Sequence, residues 1–100
     1  MKISLNWLKE FVDIPVDAQD LGKEITSVGL AVESVESHGN DTIFELDVTT
    51  NRPDCMNHLG VAREVGAIFG TSVRRPQFSL RESKQKTADA FTVSIADPDL

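Results

Sequence analysis

Apolar residues recur along this chain in two periods. Leu5, Leu8 and Val12, with Trp7 and Phe11 one turn apart, keep a helical spacing behind Ser4, whose hydroxyl can cap the first turn. This helix should end near Asp13, because Pro15 disfavours helical geometry at Ile14. A second series, Leu21, Ile25 and Val28, predicts a helix opening at Asp17. The Asp17 carboxylate can accept first-turn N–H groups, Asp20 places negative charge near the positive helix end, and Gly29 is a natural C-terminal stop.

From Leu30 to Glu36 the pattern loosens toward period two, and Ile43 to Thr49 alternates clearly, with Phe44, Leu46 and Val48 on one side. His38-Gly39-Asn40-Asp41 between them has turn chemistry, so the two strands read as an antiparallel hairpin. A third helix follows Pro53-Asp54, with Leu59, Ala62, Val65 and Ile68 or Phe69 on its buried stripe and Gly70 at its end. Residues 71–90 lose periodicity and become polar, as an extended linker would. Phe91, Val93 and Ile95 then alternate with polar residues as one more strand, either the first of a next domain or an addition to the edge of the body's sheet. The expected fold class is α+β: a three-helix module with a β-hairpin over residues 1–70, a linker over 71–90 and a strand within 91–100.

A chain of 100 residues, 40% hydrophobic and 26% charged, suits one small globular domain rather than a disordered segment. The formal net charge of -6 is uneven. Residues 1–70 hold five Lys/Arg against twelve Asp/Glu, and residues 71–100 hold five against four. An acidic body repels phosphate, so nucleic-acid binding by the module alone is disfavoured and any RNA partner would be held mainly by other parts of an assembly. No apolar run is long enough to span a bilayer and no secretory signal opens the chain, so a cytoplasmic location is expected. The lone Cys55 cannot form an internal disulfide, which agrees with a reducing compartment.

The densest run of unusual residues is Asn51-Arg52-Pro53-Asp54-Cys55. Each has a backbone task there: Asn51 and Pro53 shape the start of the third helix, Asp54 caps it, and Arg52 packs or pairs with a carboxylate such as Asp47 or Glu64. Cys55 and His58, with Asp54 and His38 nearby, supply one C-x-x-H pair, short of the four ligands of structural zinc, so no metal site is expected. Three residues at a helix start do not by themselves align thiol and imidazole for catalysis, so the pair reads as a partly buried thiol and a surface imidazole. No phosphate-cradling glycine loop or nucleophile elbow occurs, and Trp7 and Phe11 read as core. The basic residues from Arg74 to Lys86 read as a solvated linker that could touch RNA or an acidic partner through Arg74, Arg75 or Arg81. No catalytic, cofactor-binding or metal residue is assigned.

Three segments resemble one family in the right order. Met1 to Val12, MKISLNWLKEFV, is similar to the opening pattern M-K-x-S-x-x-W-L-K-E-F/Y-V of the bacterial-type phenylalanine–tRNA ligase beta chain. Thr26 to Glu36, TSVGLAVESVE, is similar to its T-x-x-G-L-x-V-E-x-x-E segment. Glu45 to Glu64, ELDVTTNRPDCMNHLGVARE, is similar to its specific signature running through T-x-N-R-P-D-C to A-R-E, and Val93 to Leu100 looks like the approach to the next domain.

The resemblance implies a winged-helix-like module and an N-terminal fragment of a longer chain. It implies an enzyme that joins phenylalanine to its tRNA with ATP and Mg2+, a heterotetramer of two alpha and two beta chains whose alpha subunit holds the aminoacylation site. The expected partners are the alpha subunit, the remaining domains of the beta chain and, through the whole complex, the phenylalanine-specific tRNA, with no membrane. Many bacterial beta chains carry a tRNA-binding OB-fold between the two hairpin strands, whereas here five residues separate Glu36 from Thr42, so that role is not carried over. No catalytic residue of the family maps onto this stretch, and the fragment alone is expected to be inactive. The competing readings are a stand-alone nucleic-acid-binding domain, for which a basic face would be required, and a small enzyme using Cys55 and His58.

Overall fold

Ser4 closes a strand and opens a helix. In the computed structural model, which describes residues 1–97 and Asp99, Lys2–Ser4 is a short strand, β1, followed directly by helix α1, Leu5–Phe11. The Ser4 hydroxyl accepts the Trp7 N–H at 3.0 Å as the helix cap. Three residues are too few for a readable period, so β1 was not expected from the pattern; it forms because Ile3, 1% exposed, reaches the core while its backbone pairs with the hairpin. Helix α1 ends at Phe11, two residues before Asp13, and Val12 continues in extended geometry with its side chain buried.

Helix α2, Ala18–Ser27, starts where its cap predicts, with the Asp17 carboxylate accepting the Asp20 N–H at 2.9 Å. Gly29, at φ 94°, turns the chain into strand β2, Ala31–His38, which pairs antiparallel with β3, Asp41–Asp47. The turn is tighter than the strand pattern implies. Gly39, at φ 64°, takes the first central position of a two-residue hairpin turn and lets pairing run up to His38 opposite Asp41. At the far end β3 stops at Asp47 rather than Thr49, because Thr49 begins a turn in which its carbonyl accepts the Arg52 N–H at 2.9 Å.

Pro53–Cys55 forms one 3-10 turn, and helix α3, His58–Phe69, begins after it. Asn57, not Asp54, is the cap: its Oδ1 accepts the Gly60 N–H at 2.8 Å, while the Asp54 carboxylate is engaged by Arg52. Gly70 ends α3 in left-handed geometry at φ 65°. Among the described residues the strands form one sheet in the order β1-β3-β2. Two helices lie between the first strand and the hairpin and the third follows the hairpin, which is a small mixed α+β module, the expected fold class.

Ile3, Leu8, Leu21, Ile25, Phe44 and Leu46 fill the centre of the core, each 0–1% exposed. Val61, Ala62 and Val65 bring the inner face of α3 onto the same cluster. Beyond α3 the first linker residues are anchored. The Arg74 N–H donates to the Phe11 carbonyl at 2.7 Å, and Val73 packs against the core. A four-residue helix, α4, Thr87–Ala90, interrupts the polar stretch. The strand expected at Phe91, Val93 and Ile95 does not form within the described residues: these side chains are 75%, 86% and 76% exposed and the backbone joins no ladder. Alternation prepares a segment for a sheet but cannot supply the partner strand that a ladder requires. Pro98 and Leu100, in the closing segment, lie outside the described residues.

Candidate functional site

The signature region folds around Arg52. Its guanidinium meets Asp54 through two nitrogens, Nε at 3.1 Å from Oδ1 and Nη2 at 3.0 Å from Oδ2, and Nη2 also donates to Glu64 Oε1 at 2.8 Å. The same nitrogen lies 2.9 Å from Cys55 Sγ, and the thiol donates to Asp54 Oδ2 at 3.2 Å. Of the two partners expected from the sequence, Glu64 is the one that Arg52 reaches, and Asp54 is added. The pairing ties the 3-10 turn to the second turn of α3.

Asp54, Cys55 and Glu64 place one donor atom each within 4.8 Å of one another, a spacing a metal ion could use. The Arg52 Nη2 occupies that position, within 2.8–3.0 Å of a donor atom of all three, so the guanidinium is the cation of this cluster. His58, the other half of the C-x-x-H pair, faces away toward Ser4. The thiol is fully buried rather than partly so. Burial, with the Asp54 carboxylate beside it, pushes Cys55 up from 9.0 to about 11, so it stays a thiol at neutral pH and lacks the thiolate a nucleophile needs.

The bond from Arg52, reinforced by the Cys55 thiol, holds the Asp54 carboxyl down from 3.8 to about 2. The folded state therefore releases the Asp54 proton more readily than the unfolded state. Stabilisation from this group is complete above about pH 4 and is lost as pH falls toward about 2. Asp54→Asn should accordingly flatten the stability curve between about pH 4 and 2, read by urea denaturation at each pH, while wild type loses stability across that window. Parallel curves for the two proteins would mean that Arg52 does not hold Asp54 in solution.

A second polar cluster joins residues far apart in sequence. The Ser4 N–H donates to His58 Nε2 at 3.0 Å, and the Ser4 hydroxyl donates to Asp41 Oδ2 at 2.5 Å. Asp41 Oδ1 accepts from the Asn6 N–H at 2.9 Å and from the Thr42 N–H at 2.8 Å. These donors, led by the Ser4 hydroxyl, hold the Asp41 carboxyl below its usual range. The Trp7 indole stacks on the imidazole with ring centroids 3.9 Å apart. Trp7 is thus not a core residue: it is 51% exposed, on the outer side of α1, and His58 is a half-buried acceptor rather than a free surface group. No local signal marks this arrangement, since Ser4 and His58 lie 54 residues apart and only the fold brings them together.

Nucleic-acid chemistry is weakly represented on the described surface. α2 shows Asp20, Glu24 and the capping Asp17 against a single Lys23, whose amine is paired with Asp20 at 2.7 Å. A groove of about 510 Å³ between α2 and β2 is lined by residues that include Gln19, Thr26, Val32 and Glu33, with no cysteine or histidine among them. Arg74 pairs with Asp13 at 2.8 Å and donates to the Lys9 carbonyl at 2.8 Å, an attachment to the end of α1. Arg75 and Arg81 are exposed. Among the described residues no helix is long and apolar enough to cross a membrane.

Both clusters use their polar groups to tie the chain's own elements together, which defines a small α+β structural module. No family model matches the chain. It is similar to the phenylalanine–tRNA ligase beta subunit of Rhodopirellula baltica, 32% identical over 99 residues, which is 99% of this chain and 14% of that protein. A beta subunit from Bacillus cereus is 46% identical over 65 residues, covering 65% of this chain and 8% of its own length. One from Fusobacterium nucleatum is 43% identical over 60 residues, again 8% of its length. The chain is related to phenylalanine–tRNA ligase beta subunits and matches one segment of them, spanning 8–14% of the length of these relatives.

Proposed function

We propose that the chain is a structural and interaction module of a phenylalanine–tRNA ligase beta subunit, without a catalytic group of its own. The observation that carries this reading is how the family-like signature is used: Arg52, Asp54, Cys55 and Glu64 bond to one another, and Asn57 caps α3. Residues that could serve a reaction are committed to architecture. The whole enzyme would join phenylalanine to its tRNA with ATP and Mg2+ in the cytoplasm, as an assembly of two alpha and two beta chains. Phe91, Val93 and Ile95, exposed and alternating, would enter the sheet of a following domain, with residues 71–90 as the connection.

The test is made on the full-length parent complex, with and without residues 1–70 of the beta chain, following subunit assembly and aminoacylation of the phenylalanine-specific tRNA. Loss of assembly or a lowered rate is the expected result. Unchanged assembly with unchanged rates would overturn the structural role.

A further inference from the structure

We propose that His58 is a proton-controlled latch between α3 and the β1–α1 junction, closed when the imidazole is neutral and released when it takes a proton. The latch rests on two contacts and on the position of His58 in its helix. His58 Nε2 accepts the Ser4 N–H at 3.0 Å, so the ring must be neutral at that nitrogen for the bond to exist. The imidazole is the first residue of α3, where the helix end is positive and a cation is disfavoured. Trp7 covers one face of the ring at 3.9 Å and limits its hydration.

The charged groups around the ring divide as follows. From β3 the Asp41 carboxylate favours the imidazolium, but its oxygens already accept from Ser4, Asn6 and Thr42. His38, at the end of β2, acts on Asp41 rather than on His58. From the turn before α3, Asp54 is bound by Arg52, and the β1–α1 junction offers only Ser4, Asn6 and Trp7. The indole face would favour a cation by a modest amount at this half-exposed site. Burial outweighs these attractions and lowers the His58 pKa below its ordinary 6.5. Latching is therefore complete above about pH 6.5 and is lost as pH falls through the lowered value.

Protonation converts the only ring nitrogen facing Ser4 from acceptor to donor, so two N–H groups oppose each other and the junction must part. Release would free the start of α3 from β1 and uncover the inner face of Trp7.

NMR on the intact chain tests this without a variant: ring titration of His58, with His38 as the internal comparison, beside hydrogen exchange at the Ser4 amide from pH 7.5 to 5. Corrected for intrinsic chemistry, Ser4 exchange should rise about tenfold with the midpoint of His58, as expected for a locally released contact. In His58→Gln, whose side-chain carbonyl can accept at any of these pH values, the response should vanish. Constant Ser4 protection across the His58 titration would overturn the latch, as would a Gln variant that keeps the wild-type response. Should that variant fail to fold, the wild-type titration decides alone.

Discussion

Gly60→Ala should destabilise the module by about 3 kcal/mol or more, a large share of the stability of a small domain. A Cβ at Gly60 would lie 1.8 Å from the Asp54 carbonyl oxygen and 2.8 Å from its carbon. Both are backbone atoms, so no side-chain rotation relieves the clash. The 3-10 turn would have to move off α3, and with it the bonds that Arg52 makes between Asp54 and Glu64. Gly70→Ala is the matched comparison: it meets nothing within 4 Å, and its cost is the left-handed backbone at φ 65°, about 1 kcal/mol. Urea denaturation of both variants should separate them clearly. A Gly60→Ala protein as stable as Gly70→Ala would disprove the close packing of turn on helix.

Phe44→Ala is expected to cost about 3–5 kcal/mol, the range for emptying a buried aromatic site. Phe44 is fully buried on the middle strand, opposite Ile3 of β1 and Val35 of β2. Helix α2 comes close over it, since a Cβ at Gly22 would stand 3.8 Å from the Phe44 ring. Sheet and helices would all lose contact with the cavity, and collapse is restrained because β3 is paired on both sides. Phe91→Ala, at a ring 75% exposed, should leave the melting temperature of the chain nearly unchanged. Equal losses for the two variants would mean that residues 91–95 are packed against the body in solution.

The parts of this module that were legible in the sequence are those whose cause is local. Ser4 and Asp17 are read as caps because a short oxygen side chain before an apolar series can satisfy only nearby N–H groups, and both do so. The hairpin follows from alternation and from turn residues that include Gly39. Arg52 reads as pairing with Asp47 or Glu64, and it takes Glu64; the family-like signature separately points to the beta-subunit relatives.

What the tertiary structure alone decided involves residues distant in sequence or competing for one partner. Strand β1 exists because β3 offers it an edge, which three residues cannot announce. Asp54 yields the capping role to Asn57 because α3 begins only at His58, after the 3-10 turn, while the Asp54 carboxylate is held in a charged, two-point contact with Arg52. Trp7 leaves the core for the His58 ring because Leu5, Leu8, Phe11 and Val12 already fill the inner side of that segment. The alternation at Phe91, Val93 and Ile95 remains without a ladder, since periodicity is a property of one segment and strand pairing is a property of two. Sequence by itself determined the Ser4 and Asp17 caps, the hairpin turn and the family relation; contact between distant segments determined the sheet's first strand, the Arg52 cluster and the Ser4–His58 junction.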